Sequence, residues 1–129
     1  MDTQEEIEAL EKLVVQLQGL HDEISQLAKK SPNDGLNKFK LKLVNKVLVS
    51  GNELLQGRYR PFDDFAEFAE EDLPTNSDVT MILTQYIEQA ERFRSDNVIY
   101  GSHKWQYILK GDPSGIDAKM PTRVGAEKK

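Results

Sequence analysis

The densest chemistry in the sequence lies between Phe62 and Asp72. Six carboxylates, those of Asp63, Asp64, Glu67, Glu70, Glu71 and Asp72, alternate there with Phe62, Phe65 and Phe68, and no base intervenes. Clustered carboxylates can hold a cation, exchange protons or present a field to a basic partner. The helix-loop-helix calcium site needs alternating oxygen residues around an obligatory glycine, a pattern this stretch lacks. Acid and base work needs a perturbed carboxyl beside a nucleophile, and neither feature can be read for a pair such as Asp63 and Glu67. Recognition remains: large aromatics anchor interface centres, and surrounding carboxylates steer a basic partner. The same pattern also fits three phenylalanines closing one end of a helical core beneath a solvated acidic face.

A second cluster is basic. Residues 36–60 carry Lys38, Lys40, Lys42, Lys46, Arg58 and Arg60 against Glu53 alone. Lys38, Lys42 and Lys46 are four residues apart and share one face of a helix. Together with Arg58 and Arg60 they could engage phosphate. Nucleic-acid binders, however, display an uncompensated basic surface, whereas this chain has a net charge of −5 and a pI near 5.1. Nucleic acid is therefore not the expected partner. The lysines are expected to pair internally with Glu8, Glu11, Asp22 and Glu23, or with the acidic stretch of a second subunit.

Other sources of chemistry are few. His21 falls in an apolar stripe and His103 in a turn, and no paired-histidine metal motif exists. A phosphate-cradling glycine loop, a dinucleotide fingerprint, a nucleophile elbow and a metalloprotease helix are all missing from the sequence. There is no cysteine, which removes disulfides and thiolate chemistry. No metal and no cofactor is expected, and the chain does not read as an enzyme. A separate reading, a small ligand-binding domain or enzyme, would line a pocket with His21, Tyr86 and Trp105.

The elements that must position these residues are mainly helical. Thr3 with Glu6 is a capping-box pattern, and Ile7, Leu10, Val14, Leu17, His21, Ile24 and Ala28 follow at helical steps, flanked by Leu13, Leu20 and Leu27. The first helix is expected to run to about Lys30 and to stop at Ser31-Pro32-Asn33-Asp34-Gly35. Leu36, Phe39, Leu43, Val44, Val47, Leu48, Gly51, Leu54 and Leu55 predict a second, antiparallel helix to about Gln56. The spacing of Phe62, Phe65 and Phe68 predicts one or two short helical turns. After Leu73-Pro74, Asn76 or Ser77 can cap a third helix containing Val79, Ile82, Leu83, Tyr86, Ile87, Ala90 and Phe93, ending around Ser95. Residues 97–100 and 105–109 predict a β-hairpin.

These elements add up to a mainly α fold: an antiparallel bundle of three main helices, a short acidic-aromatic helix and a small C-terminal β-hairpin. At 129 residues the chain has the length of one domain, read as residues 1–111 followed by an irregular, partly flexible tail over 112–129. Seven carboxylates in the first thirty residues are the opposite of a basic, then apolar, signal peptide. No apolar run approaches the roughly 20 residues of a membrane span. The expectation is a cytoplasmic protein without a membrane partner.

The expected function is that of a non-catalytic protein-binding module, such as a small acidic inhibitor, immunity protein or adaptor. It would meet a basic surface through Phe62, Asp63, Asp64, Phe65, Glu67, Phe68, Glu70, Glu71 and Asp72. The alternative is a structural or regulatory homodimer with the first helix as its seam.

Overall fold

A computed structural model describes residues 1–122 and shows a mainly helical chain carrying a small antiparallel sheet. Helix α1 spans Gln4–Lys30. The Thr3 hydroxyl accepts from the Glu6 amide, while the Glu6 carboxylate reaches past the cap to the amide of Asp2, 3.1 Å away. Lys29 and Lys30 occupy the last turn, where cations suit the helix dipole. The helix stops at Ser31, immediately before Pro32, as expected.

Helix α2 spans Lys38–Leu54, capped by the Asn37 side chain on the amide of Lys40. Its buried face differs from the expected stripe. Phe39 is 72% exposed and Leu43 38% exposed, whereas Leu41 is buried with Val44, Val47, Leu48, Gly51 and Leu55. Leu41, Val44, Leu48, Gly51 and Leu55 step by three and four, so two apolar stripes overlap on this helix. Packing against α1 and α3 selects that one. Gly51 suits this close approach: a Cβ there would stand 3.2 Å from the buried Tyr86 ring, tighter than ordinary contact.

Helix α3 spans Asn76–Asp96 and starts one residue earlier than the expected caps, on a complete capping box between Thr75 and Asp78. The connection before α2 covers this start. Asp34 accepts from the Asn76 amide, Pro32 from that of Ser77, and Pro74 from that of Leu36. Amides that have no partner inside the helix are thus satisfied.

The expected hairpin forms and gains a third strand. Strands β1 (Val98–Gly101), β2 (Lys104–Leu109) and β3 (Asp112–Asp117) make an antiparallel meander in that order. Ser102 and His103 turn between the first two with φ of 52° and 67°, both left-handed, the backbone of a tight two-residue hairpin. Residues 112–117 therefore are not an irregular tail. Pro113 and Gly115 suppress the local strand signal, but β3 is an edge strand, where proline is tolerated. Side chains of β2 secure it: the buried Gln106 accepts from the Gly115 amide at 2.7 Å, and the Lys104 ammonium donates to the Gly115 carbonyl and to Asp117. Residues 123–129 of the expected tail lie outside the described residues.

Two apolar clusters hold the elements together. The larger joins the three helices around Leu17, Ile24, Val44, Leu48, Leu83 and Tyr86. The smaller seats the sheet on α1 through Ile7, Leu10, Val98 and Tyr107. Beside it the buried Arg94 guanidinium makes a two-pronged pair with Glu91 and donates to the carbonyls of Lys119 and Met120. Thr122 also donates to Glu91, tying residues 118–122 against α3.

Candidate protein-binding surface

Between α2 and α3 the chain crosses the bundle as a strap over residues 61–73. The expected acidic-aromatic helix is not formed. Only Glu70–Asp72 makes a single 3-10 turn, closed by Leu73 in the left-handed region at φ 50°. The physical reason lies in α2, where Asn45 and Asn52 sit seven residues, or two turns, apart. The Asn45 amide group grips the backbone of Phe68 like an adjacent strand: its oxygen accepts from the Phe68 N–H at 2.9 Å and its nitrogen donates to the Phe68 carbonyl at 3.0 Å. Asn52 donates to the Ala66 carbonyl and accepts from the hydroxyl of Tyr86 on α3 at 2.7 Å. Arg60 donates to the Phe65 carbonyl. A helical strap would need these same backbone groups for its own ladder.

Three rings weigh the strap down. Phe62 meets Phe65 edge to face with centroids 6.3 Å apart, and Phe65 meets Phe68 in the same way at 5.2 Å. Each is half-buried against the main cluster. The phenylalanines thus close the core, while Asp63, Asp64, Glu67, Glu70, Glu71 and Asp72 are all exposed. Among the described residues Glu70 alone of these six is in an ion pair, with Lys38 at 3.4 Å. Both partners are well exposed, so the pair adds little to stability.

The lysines face the same strap. Lys42 and Lys46 line one wall of an open groove of about 900 Å³, Glu67, Glu70 and Glu71 line the other, and Val49 and Phe68 contribute apolar surface between them. Lys38 therefore pairs with the acidic stretch of its own chain, and Lys40 reaches α1 through Glu23 at 2.8 Å. The Lys40 hydrogen bond and charge hold the Glu23 carboxyl below its ordinary pKa.

Neither arginine lines this groove, and Arg60 is held to the strap through the Phe65 carbonyl at 3.1 Å. Arg58 lies beyond the far end of α2, some 25 Å along the axis from Lys38 at 1.5 Å per residue. It stacks over Tyr59 and pairs with Asp96 at 2.7 Å. Tyr59 donates to the same Asp96 carboxylate. Burial first, and then that hydrogen bond, raise the pKa of the Tyr59 hydroxyl.

His21, Tyr86 and Trp105 are not gathered in one place. Tyr86 is fully buried in the helical core, and its pKa is raised by that burial. Trp105 meets Tyr100 edge to face in the sheet, and His21 is a partly buried residue of α1 beside Asp22. Among the described residues no three histidine or acidic side chains are grouped so that they could hold a metal ion, and no helix is long and apolar enough to cross a membrane.

Asn45 and Asn52 are the residues the sequence reading missed. Their signal was present, since asparagine is a poor residue for a helix interior and two of them share one face of α2 ahead of a segment rich in phenylalanine. Compared with protein-family models, with curated proteins and with solved structures, the chain matches none.

Proposed function

We propose that this chain is a non-catalytic protein-binding module, acting in the cytoplasm as a small inhibitor, immunity protein or adaptor, and that the strap is its contact surface. The observation that carries the reading is the separation of labour within residues 62–72. Three rings and the two asparagines fix the backbone, and six carboxylates project from it into solvent. A charged surface whose backbone is already ordered binds without the full entropic cost of ordering a loop. A concentrated negative field also accelerates encounter with a basic partner.

The partner is a protein that offers positive charge together with enough apolar surface to cover Val49 and the rim of Phe68. The test is affinity capture from the native lysate with the intact chain and with all six carboxylates changed to Asn or Gln. Recovered proteins are then purified and titrated against both forms at low and high salt. A partner bound by the intact chain, released by salt and lost by the amide form supports the reading. Equal, salt-independent binding by both forms contradicts it.

A further inference from the structure

We infer that the strap and the outer face of α2 together form the interface for a second copy of this chain, so that the basic partner of the strap is α2 itself. The inference rests on the reading of the strap as a docking surface and names its occupant. Helix α2 stands as a ridge between two grooves that share Lys46 and Ser50. One, of about 900 Å³, separates it from the strap; the other, of about 520 Å³, separates it from α1. The ridge exposes Phe39, Leu43 and Val49, an apolar content that α1 and α3 leave uncovered.

Charge selects the occupant. The row of Lys42 and Lys46 lies beside the row of Glu67, Glu70 and Glu71 on one surface, so the patch is its own electrostatic complement. A uniformly basic partner entering the groove would meet Lys42 and Lys46 as like charges. A second copy related by a two-fold axis would set its lysine row against the first copy's carboxylate row, and the symmetry repeats the pairing on the other side. Ridge into groove is also how helices pack. The seam expected on α1 is not open for this purpose, because Ile7, Leu10, Leu13, Leu17 and Ile24 are buried within the chain.

The experiment is sedimentation velocity on the full chain across the micromolar range, with two charge-reversed forms. One carries Lys42→Glu and Lys46→Glu; the other carries Glu67→Lys, Glu70→Lys and Glu71→Lys. All the changed side chains are exposed, and circular dichroism checks that each form is folded. The wild type is expected to sediment at twice the monomer mass of 14.7 kDa. Each reversed form alone is expected at the monomer mass, and their equimolar mixture is expected to restore the dimer, since opposite rows then meet on both sides. A wild-type monomer, or a dimer that neither reversal weakens, overturns the inference. A monomer that still captures a basic protein through the six carboxylates overturns the second copy while leaving the binding reading intact. Loss of both overturns the two together.

Discussion

Replacing Asn45 by Ala removes both hydrogen bonds that hold the strap to the middle of α2, the 2.9 Å bond from the Phe68 N–H and the 3.0 Å bond to its carbonyl. Each bond contributes about 1 kcal/mol net, and alanine can replace neither, so the expected loss is about 2 kcal/mol. With an unfolding entropy of about 2 cal/mol/K per residue, that lowers the melting temperature by roughly 7 °C. If the strap lifts while the bundle stays folded, the same free energy appears locally as a roughly 30-fold faster exchange of the Phe68 amide. Thermal unfolding followed by circular dichroism, with hydrogen exchange read at Phe68, separates the two cases. Gln85→Ala, an exposed position on α3 outside the strap and both grooves, is the control and should stay within about 0.5 kcal/mol. An Asn45→Ala protein with unchanged melting temperature and unchanged Phe68 protection would refute the reasoning that side chains of α2, rather than strap propensity, set the path of residues 61–73.

Three further outcomes follow from other parts of the fold. Burial alone would raise the Glu91 carboxyl, but hydrogen bonds from Arg94 and Thr122 and the Arg94 charge outweigh it and hold the pKa below its ordinary 4.5; a depressed folded pKa gives stability above the unfolded value and loses it as pH falls through the folded one. The melting temperature should therefore drop on acidification below about pH 4.5, and Glu91→Gln should shrink that drop in a pH series of thermal melts. Tyr107 is pushed up to about 12 by burial and by the nearby Glu11 charge, so its stabilising contribution is present below the ordinary tyrosine value near 10 and fades as pH rises toward 12; an ultraviolet phenolate titration of wild type against Tyr107→Phe should place the missing transition at the high end. Ser102→Asn combined with His103→Gly should stabilise the hairpin by about 0.5–1 kcal/mol, because those residues suit the two left-handed positions, and urea unfolding will show it as a higher midpoint.

The legibility of this fold varies with how local its causes are. The ends of α1 were readable because the Thr3 cap and Pro32 act over a few residues, whereas α3 starts on Thr75 in place of Asn76 or Ser77 and α2 ends at Leu54, well before Pro61. The rotation of α2 was not, since Phe39 and Leu43 fit a helical stripe as well as Leu41 does and only the neighbouring helices choose between them. The strap misled for a related reason. Phe62, Phe65 and Phe68 have helical spacing, yet Asn45 takes both backbone groups of Phe68, and the carbonyls of Ala66 and Phe65 accept from Asn52 and Arg60. Strand β3 carried almost no signal of its own, because Gln106 and Lys104 on β2 supply its fastening. At the candidate site, the acids and the three lysines were legible as charge patterns; the structure sets Lys42 and Lys46 across one groove from Glu67, Glu70 and Glu71, and pairs Lys38 with Glu70. The departure of Arg58 toward Asp96 depends on tertiary placement, which charge spacing does not encode.

In the proposed function the six exposed carboxylates, carried on an ordered backbone, form a docking surface and are not merely a solvated edge. The most direct measurement is the affinity of the captured partner, or of the chain for itself, for the intact protein and for the form with Asn or Gln at positions 63, 64, 67, 70, 71 and 72, across a salt series. Binding by the intact protein is expected to weaken steadily with salt and to be lost in the amide form. Equal affinity in both forms, flat with salt, would contradict it.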